Sequence, residues 1–245
     1  MGKLRSLSSD EIVVQMFYAT QLCRLSNKND SNKLFPIDNV VFMGMGEPAD
    51  NVDNVIRACN ILTDRNLFQI AKSKVTISTV APTPNAFRQL AAAQVTLAWS
   101  VHAVCDDTRK FLIPTFDPNK HTMQHMKSEL CQVLNSDLST KRMRTIMLEV
   151  ALLDGVNDSV QHAIDLATFA KSIIKEVSGL KLVVNLIPWN DIGSNLIRNY
   201  KTPNPQTVKE FQDTLLEQGI YTFIRTTRGD DKHAACGQLA TKQSV

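Results

Sequence analysis

Apolar positions along the chain follow two periods, and the alternation between them predicts its elements. Near the start, Ser8 is placed to cap a helix with Glu11 at its third position, and Leu7 and Ile12 form a staple pair. Val13, Met16 and Phe17 continue the stripe, which predicts a helix from about Ser9 to Leu22. The polar stretch that follows, rich in Asn, Asp and Ser and closed by Pro36, predicts a surface loop over 24–38. Beyond it, short apolar, β-branched runs at 39–44, 74–80, 96–103, 145–153, 181–189 and 221–226 read as strands. Helical patterns near 52–64, 84–93, 121–134, 159–177 and 205–218 separate them. Strands that are almost continuously apolar are buried on both faces, so the alternation predicts a parallel sheet with helical crossovers. The expected fold is α/β, a full or partial (β/α) barrel occupying one domain over 1–245.

Polar residues interrupt the apolar runs where the strands end. Gly44, Gly46, Glu47 and Pro48 follow the first strand, Ser78 and Thr79 close the second, Ser100 and His102 the third, and Asn190 follows the fifth. In a parallel barrel all strand C-termini open on one rim, where such folds build their sites. The GMGEP segment suits a small zwitterion, because its glycines let backbone approach a ligand and Glu47 accepts hydrogen bonds from an ammonium group. No Lys-Ser/Thr follows it, which disfavours a phosphate loop. Taken singly, each feature has a plain structural reading: a tight turn, a strand-end hydroxyl, a satisfied histidine. Their convergence on one rim favours a site.

Composition narrows the classes. The 245 residues are 43% apolar and 21% charged, enough to bury a substantial core. A net charge of +3 is too small to argue for a nucleic-acid partner by itself. No apolar run reaches a membrane span, which predicts a soluble protein without a membrane partner. Five scattered cysteines, Cys23, Cys59, Cys105, Cys131 and Cys236, include no C-x-x-C pair and predict neither a disulfide framework nor a metal site of their own. Cys236 lies among Ala234, Ala235 and Gly237 within RGDDKHAACGQL, a setting open to attack chemistry.

GMGEP, STV near Ser78, SVHA, LLDGVND, NLIPWN and RGDD-x-x-AACGQL occur in this order, and on them the chain resembles the RlmN/Cfr family of radical S-adenosylmethionine (SAM) RNA methyltransferases, its RlmN branch above all. The resemblance covers Ser8 to Leu239 and implies a partial (β/α)6 TIM-like barrel of radical SAM type. It further implies SAM, a 4Fe-4S cluster, an electron donor such as flavodoxin or ferredoxin, and methylation of adenine carbon 2 in large-subunit rRNA, often also in tRNA. Gly46 and Glu47 would hold the SAM amino group, and Ser78, Ser100, Val101, His102 and Asn190 would complete its pocket. Cys236, in the C-terminal loop and tail at 228–245, would take a methyl group from one SAM. A radical made from a second SAM would then activate that methyl for addition to the electron-poor ring carbon, which polar methyl transfer does not reach. A monomer in the cytoplasm, or in an organelle if a targeting segment precedes Met1, is expected.

The chain departs from the pattern at its start, where the family has C-x-x-x-C-x-x-C just before a Met-Gly pair and the L-(S/T)-x-x-E-I helix. The expectation is that the cluster ligands, a resolving cysteine, the first barrel strand and the accessory domain lie upstream of Met1, leaving the 39–44 strand as an open apolar edge. Asp191 in place of a common proline, and Lys232 and His233 before AACGQL, are smaller departures. Two alternatives stay open: a non-catalytic SAM- or RNA-binding remnant without the cluster, and an unrelated barrel enzyme acting on a small zwitterion. Lys201, Arg225 and Arg228 are placed to meet phosphates near the rim, whereas Lys141, Arg142 and Arg144 read as a solvated surface.

Overall fold

A computed structural model describes residues 5–26, 34–136, 144–189 and 200–225. Asn190, Arg228, Cys236, Lys141 and Arg142 lie outside the described residues. Seven α-helices and six strands are described: α1 (Ser9–Ser26), β1 (Val40–Phe42), α2 (Val52–Thr63), β2 (Val75–Thr79), α3 (Asn85–Ala91), β3 (Thr96–Ser100), α4 (Asp106–Leu112), α5 (Met123–Asn135), β4 (Thr145–Leu152), α6 (Val160–Glu176), β5 (Lys181–Pro188), α7 (Pro205–Glu217) and β6 (Thr222–Ile224). The strands form one wholly parallel sheet in sequential order, β1 to β6. Each crossover therefore returns the chain to the same end, and every strand C-terminus opens on one rim.

Curvature brings that rim together. A flat six-stranded sheet holds its outer strands about 24 Å apart. Here the Arg225 guanidinium, just past β6, lies 2.8 Å from the Met43 sulfur, just past β1. The sheet is curled as in a partial barrel, with β1 and β6 as its edges among the described residues. Val41 on β1 and Phe223 on β6 are exposed.

Local signals account for the elements. The Glu11 amide donates to the Ser8 hydroxyl (3.2 Å) and the Ser8 amide to the Glu11 carboxylate (2.9 Å), forming the predicted capping box. Thr122, Ser159 and Asn204 cap α5, α6 and α7 through their side chains. Asn54 accepts from the Ser9 amide and Asn51 donates to the Leu7 carbonyl, fastening the start of α1 to α2. Helix α1 runs to Ser26, one turn beyond the predicted end and into the predicted 24–38 loop; Val14, Phe17, Tyr18, Leu22 and Leu25 along it are exposed. The core lies between sheet and helices. Trp99 of β3, fully buried, meets Phe87 of α3 edge-on at 5.1 Å and Phe169 of α6 at 5.8 Å. Lys127 on α5 is also buried, paired with Glu176 of α6 at 2.5 Å. Arg144, which donates to the Ser178 carbonyl, sits at the strand N-termini, away from the rim.

The predicted strands at 39–44, 96–103 and 221–226 are each longer than the observed ladders. Past Phe42 the chain turns through Gly44, at φ +116°; past Ser100 it turns at His102, at φ +53°. The seven-residue α4 has no counterpart in the predicted elements, because two turns hold too little periodicity to read.

Candidate functional site

The predicted rim residues that lie among the described ones, which exclude Asn190, come close together at the ends of β1, β2 and β3. Gly44 and Gly46 carry positive φ (+116° and +78°), conformations that side chains resist, and among the described residues no atom beyond their chain neighbours lies within 4 Å of where a Cβ would stand on either. Among the described residues, the space beside this turn is open. Glu47 follows as the cap of a short 3₁₀ turn at Pro48–Asp50, accepting from the Ala49 amide at 2.9 Å. Its carboxylate also accepts from the Thr79 hydroxyl (2.5 Å) and the Val80 amide (2.9 Å), both at the end of β2. Glu47 thus ties the β1 exit to the β2 exit. Three protein donors use part of a carboxylate with about four acceptor positions, so capacity for one ligand donor remains.

Deeper in the curl lies a polar layer that apolar patterning concealed. Glu149, in the middle of β4 and only 2% exposed, accepts from the Ser78 hydroxyl at 2.5 Å. The Ser100 hydroxyl stands 3.4 Å from the same carboxylate oxygen and 3.2 Å from Ser78 Oγ. Asn185 on β5 approaches the other oxygen through its amide nitrogen at 3.4 Å. The parallel register places Ser100 opposite Glu149 and Glu149 opposite Asn185, so three strands deliver these groups to one face. Sequence reading found Ser78 and Ser100 and missed Glu149 and Asn185; a lone carboxylate inside TIMLEVALL was the available signal.

His102 ends β3. Its backbone turns away in the left-handed region, and its Nδ1 accepts the Ala151 amide of β4 at 3.1 Å, a donor the truncated ladder leaves unpaired. The Asn157 amide donates to the His102 and Ala151 carbonyls, each at 2.8 Å, while its oxygen accepts from the Leu153 amide. With Nδ1 an acceptor, the neutral ring carries its proton on Nε2. Burial, and secondarily the positive charge of Arg109, lowers the ring's pKa from 6.5 to about 4. Val101, fully buried, donates its amide to the Glu149 carbonyl, so its part in the site is through its backbone.

Arg109 of α4 lies directly behind these strand ends and is fully buried. Its guanidinium donates to the carbonyls of Val80 (2.5 Å), Ser100 (3.2 Å) and Val101. It also lies 5.5 Å from the Trp99 ring and 5.2 Å from that of Phe116. Burial brings its pKa down to about 9, still a cation at neutral pH. Val80 is therefore held on both sides, by Glu47 at its amide and Arg109 at its carbonyl.

His102 carries a pH prediction. The unfolded chain takes up a proton near pH 6.5 that the folded ring refuses until about pH 4. Its contribution to stability is complete above pH 6.5 and declines as pH falls through that window, by up to about 3 kcal/mol. Urea midpoints measured from pH 7.5 to 4 are expected to fall, and a His102→Gln variant, which keeps an acceptor for Ala151, is expected to fall less steeply. Equal slopes would show that His102 is not proton-free in the folded state.

The described residues include no group of three or more His, Cys, Asp or Glu side chains able to hold a metal ion. Cys59 and Cys131 are buried with thiols pushed up to about 12, which makes them poor thiolate ligands. No described helix is long and apolar enough to cross a membrane.

Comparison with known proteins gives this rim a context. No family model matches the chain. The dual-specificity RNA methyltransferase RlmN of Ruthia magnifica subsp. Calyptogena magnifica is 37% identical over 241 residues, 98% of this chain and 62% of that protein. The RlmN of Marinobacter nauticus is 37% identical over 238 residues, 97% of this chain and 59% of that protein. Among solved structures, a radical SAM methyltransferase from Sphaerobacter thermophilus superposes with a TM-score of 0.81 at 30% identity, covering 97% of this chain and 63% of that one. The chain spans about three fifths of the length of the curated relatives it matches. With nearly its whole length aligned to RlmN proteins and its fold shared with a radical SAM methyltransferase, the chain is similar to the RlmN-like radical SAM methyltransferases over the part of them that it spans.

Proposed function

We propose that this chain forms the SAM-holding part of an RNA methyltransferase that acts on carbon 2 of adenine in large-subunit rRNA, and on tRNA, in the cytoplasm. The observation that carries the reading is the convergence of Gly46, Glu47, Ser78, Ser100 and His102 on one rim, beside space that is open among the described residues. These residues fit SAM. Glu47 retains acceptor capacity for the ammonium group, the Gly46 turn gives backbone access, and the Ser78 and Ser100 hydroxyls with the His102 ring offer polar contacts along the adenosyl half. Asn190, one residue beyond Trp189 at the end of β5, is assigned to the same pocket. When bound, SAM supplies the methyl group, and with a reduced 4Fe-4S cluster it supplies the radical chemistry that an unreactive ring carbon requires.

The cluster itself does not fit the described cysteines, two of which are buried thiols. Its ligands and its reductant, a flavodoxin- or ferredoxin-type donor, are assigned outside them. Cys236 is assigned as the methyl carrier: its thiolate forms an S–CH₃ bond as the sulfonium–CH₃ bond of SAM breaks, leaving S-adenosylhomocysteine. Lys201, which is exposed, and Arg225 are assigned to contacts with RNA phosphates.

The test is mass spectrometry of the protein isolated from its own cells. The peptide containing Cys236 is expected to carry one methyl group, and rRNA from cells holding only a Cys236→Ala variant is expected to lack 2-methyladenosine. An unmodified thiol in active protein removes the carrier role. A second reading, a SAM- or RNA-binding protein without a cluster, draws on the described cysteines; iron retained after anaerobic reconstitution removes it.

A further inference from the structure

Glu149 is neither a rim residue nor part of the apolar core, and its surroundings give it a definite task. It is 2% exposed, and among the described residues its carboxylate has no cationic partner within ion-pair distance. A buried carboxylate without a counter-charge is costly, so hydrogen-bond donors must compensate it. Those donors are the hydroxyl of Ser78 and, more distantly, Ser100 and Asn185.

A serine hydroxyl has one proton and two lone pairs. The Ser78 hydroxyl donates its proton to the Glu149 carboxylate oxygen at 2.5 Å. The Ser100 proton then points to Ser78 Oγ at 3.2 Å or to Glu149 at 3.4 Å, inward in either case. Both hydroxyls are left with lone pairs alone to offer any further partner.

We propose that Glu149 is a specificity-determining positioning residue: by drawing both serine protons inward it makes Ser78 and Ser100 a pair of acceptors, selecting ligand groups that donate hydrogen bonds. This rests on the reading of the rim as a SAM pocket. Donors of the required kind are the ribose hydroxyls of SAM, whereas its carboxylate is refused at this position.

The test compares SAM by calorimetry with an analogue lacking the ribose hydroxyls. The unsubstituted protein is expected to bind that analogue at least about tenfold more weakly than SAM, as a site built to bond a donor rejects the compound without it. In Glu149→Leu the serine protons are released, and SAM and that analogue are expected to bind with affinities within about threefold of each other. Glu149→Gln retains an acceptor oxygen and is expected to restore the preference, an outcome that general loosening of the fold does not produce. Undiminished preference in Glu149→Leu overturns the proposal.

A ligand-free measurement separates this from the SAM reading. In the unsubstituted protein the Ser78 hydroxyl proton is expected as a downfield, slowly exchanging proton resonance that Glu149→Leu abolishes. If the protein binds no SAM yet shows that resonance, the SAM reading fails and the Glu149 pin stands. If the resonance is absent from the unsubstituted protein, the pin fails whatever binds.

Discussion

Glu47→Ala is expected to abolish SAM binding at working concentrations, with at least about a 100-fold loss of affinity, and to lower stability by about 2–4 kcal/mol. The two effects share one cause. The carboxylate accepts from the Ala49 amide, the Thr79 hydroxyl and the Val80 amide. Removing it uncaps the 3₁₀ turn at Pro48–Asp50 and frees the β2 exit from the β1 exit. Glu47→Gln separates the contributions: its oxygen still accepts from Ala49 and Thr79, but its NH₂ meets the Val80 amide, donor against donor, and it carries no charge for an ammonium group. It is expected to keep more stability than the alanine variant while losing most of the affinity. Urea denaturation and calorimetric titration with SAM read the two quantities. Unchanged affinity in Glu47→Ala would place the ammonium group elsewhere.

How far the sequence revealed this site depended on which level set each residue's role. The alternation of apolar runs and helical stripes was enough to predict the sequential parallel sheet, because fully apolar strands leave few other packings. Ser78, Ser100 and His102 were legible because they break those runs near their ends. Glu149 breaks one too, but in the middle, and only the register that sets it opposite Ser100 brings it into the same layer. Arg109 was hidden for another reason. It belongs to a seven-residue helix without readable periodicity, and its partners are backbone carbonyls of Val80, Ser100 and Val101, which carry no sequence signature. His102 was read as either a structural histidine or a site residue, and the structure gives it the structural task at least: its ring takes the place of the next ladder acceptor for Ala151. Asn157 stood in the LLDGVND motif, but its hold on the His102 carbonyl follows from the left-handed turn at His102, which local sequence does not announce.

Trp99→Ala is expected to cost about 3–5 kcal/mol, enough to unfold much of a domain whose whole stability is about 5–15 kcal/mol. Trp99 is fully buried, in contact with Phe87 and Phe169, and the Arg109 guanidinium lies 5.5 Å from its ring. Alanine empties that space and removes one of two rings flanking a buried cation, leaving Phe116 alone against it. Arg109 is then less firmly held beneath the Val80, Ser100 and Val101 carbonyls, so a core substitution reaches the rim without touching it. Trp99→Phe distinguishes packing from polarity. It keeps a ring for the guanidinium and discards the indole N–H, which is buried without an acceptor among the described residues. Because an unsatisfied buried donor costs about 1–3 kcal/mol, part of the lost volume is offset, and Trp99→Phe is expected to fall well short of the alanine penalty. Urea midpoints of the two variants decide this. A phenylalanine penalty equal to that of alanine would mean that the indole nitrogen has a partner, such as a bound water, whose loss cancels the gain.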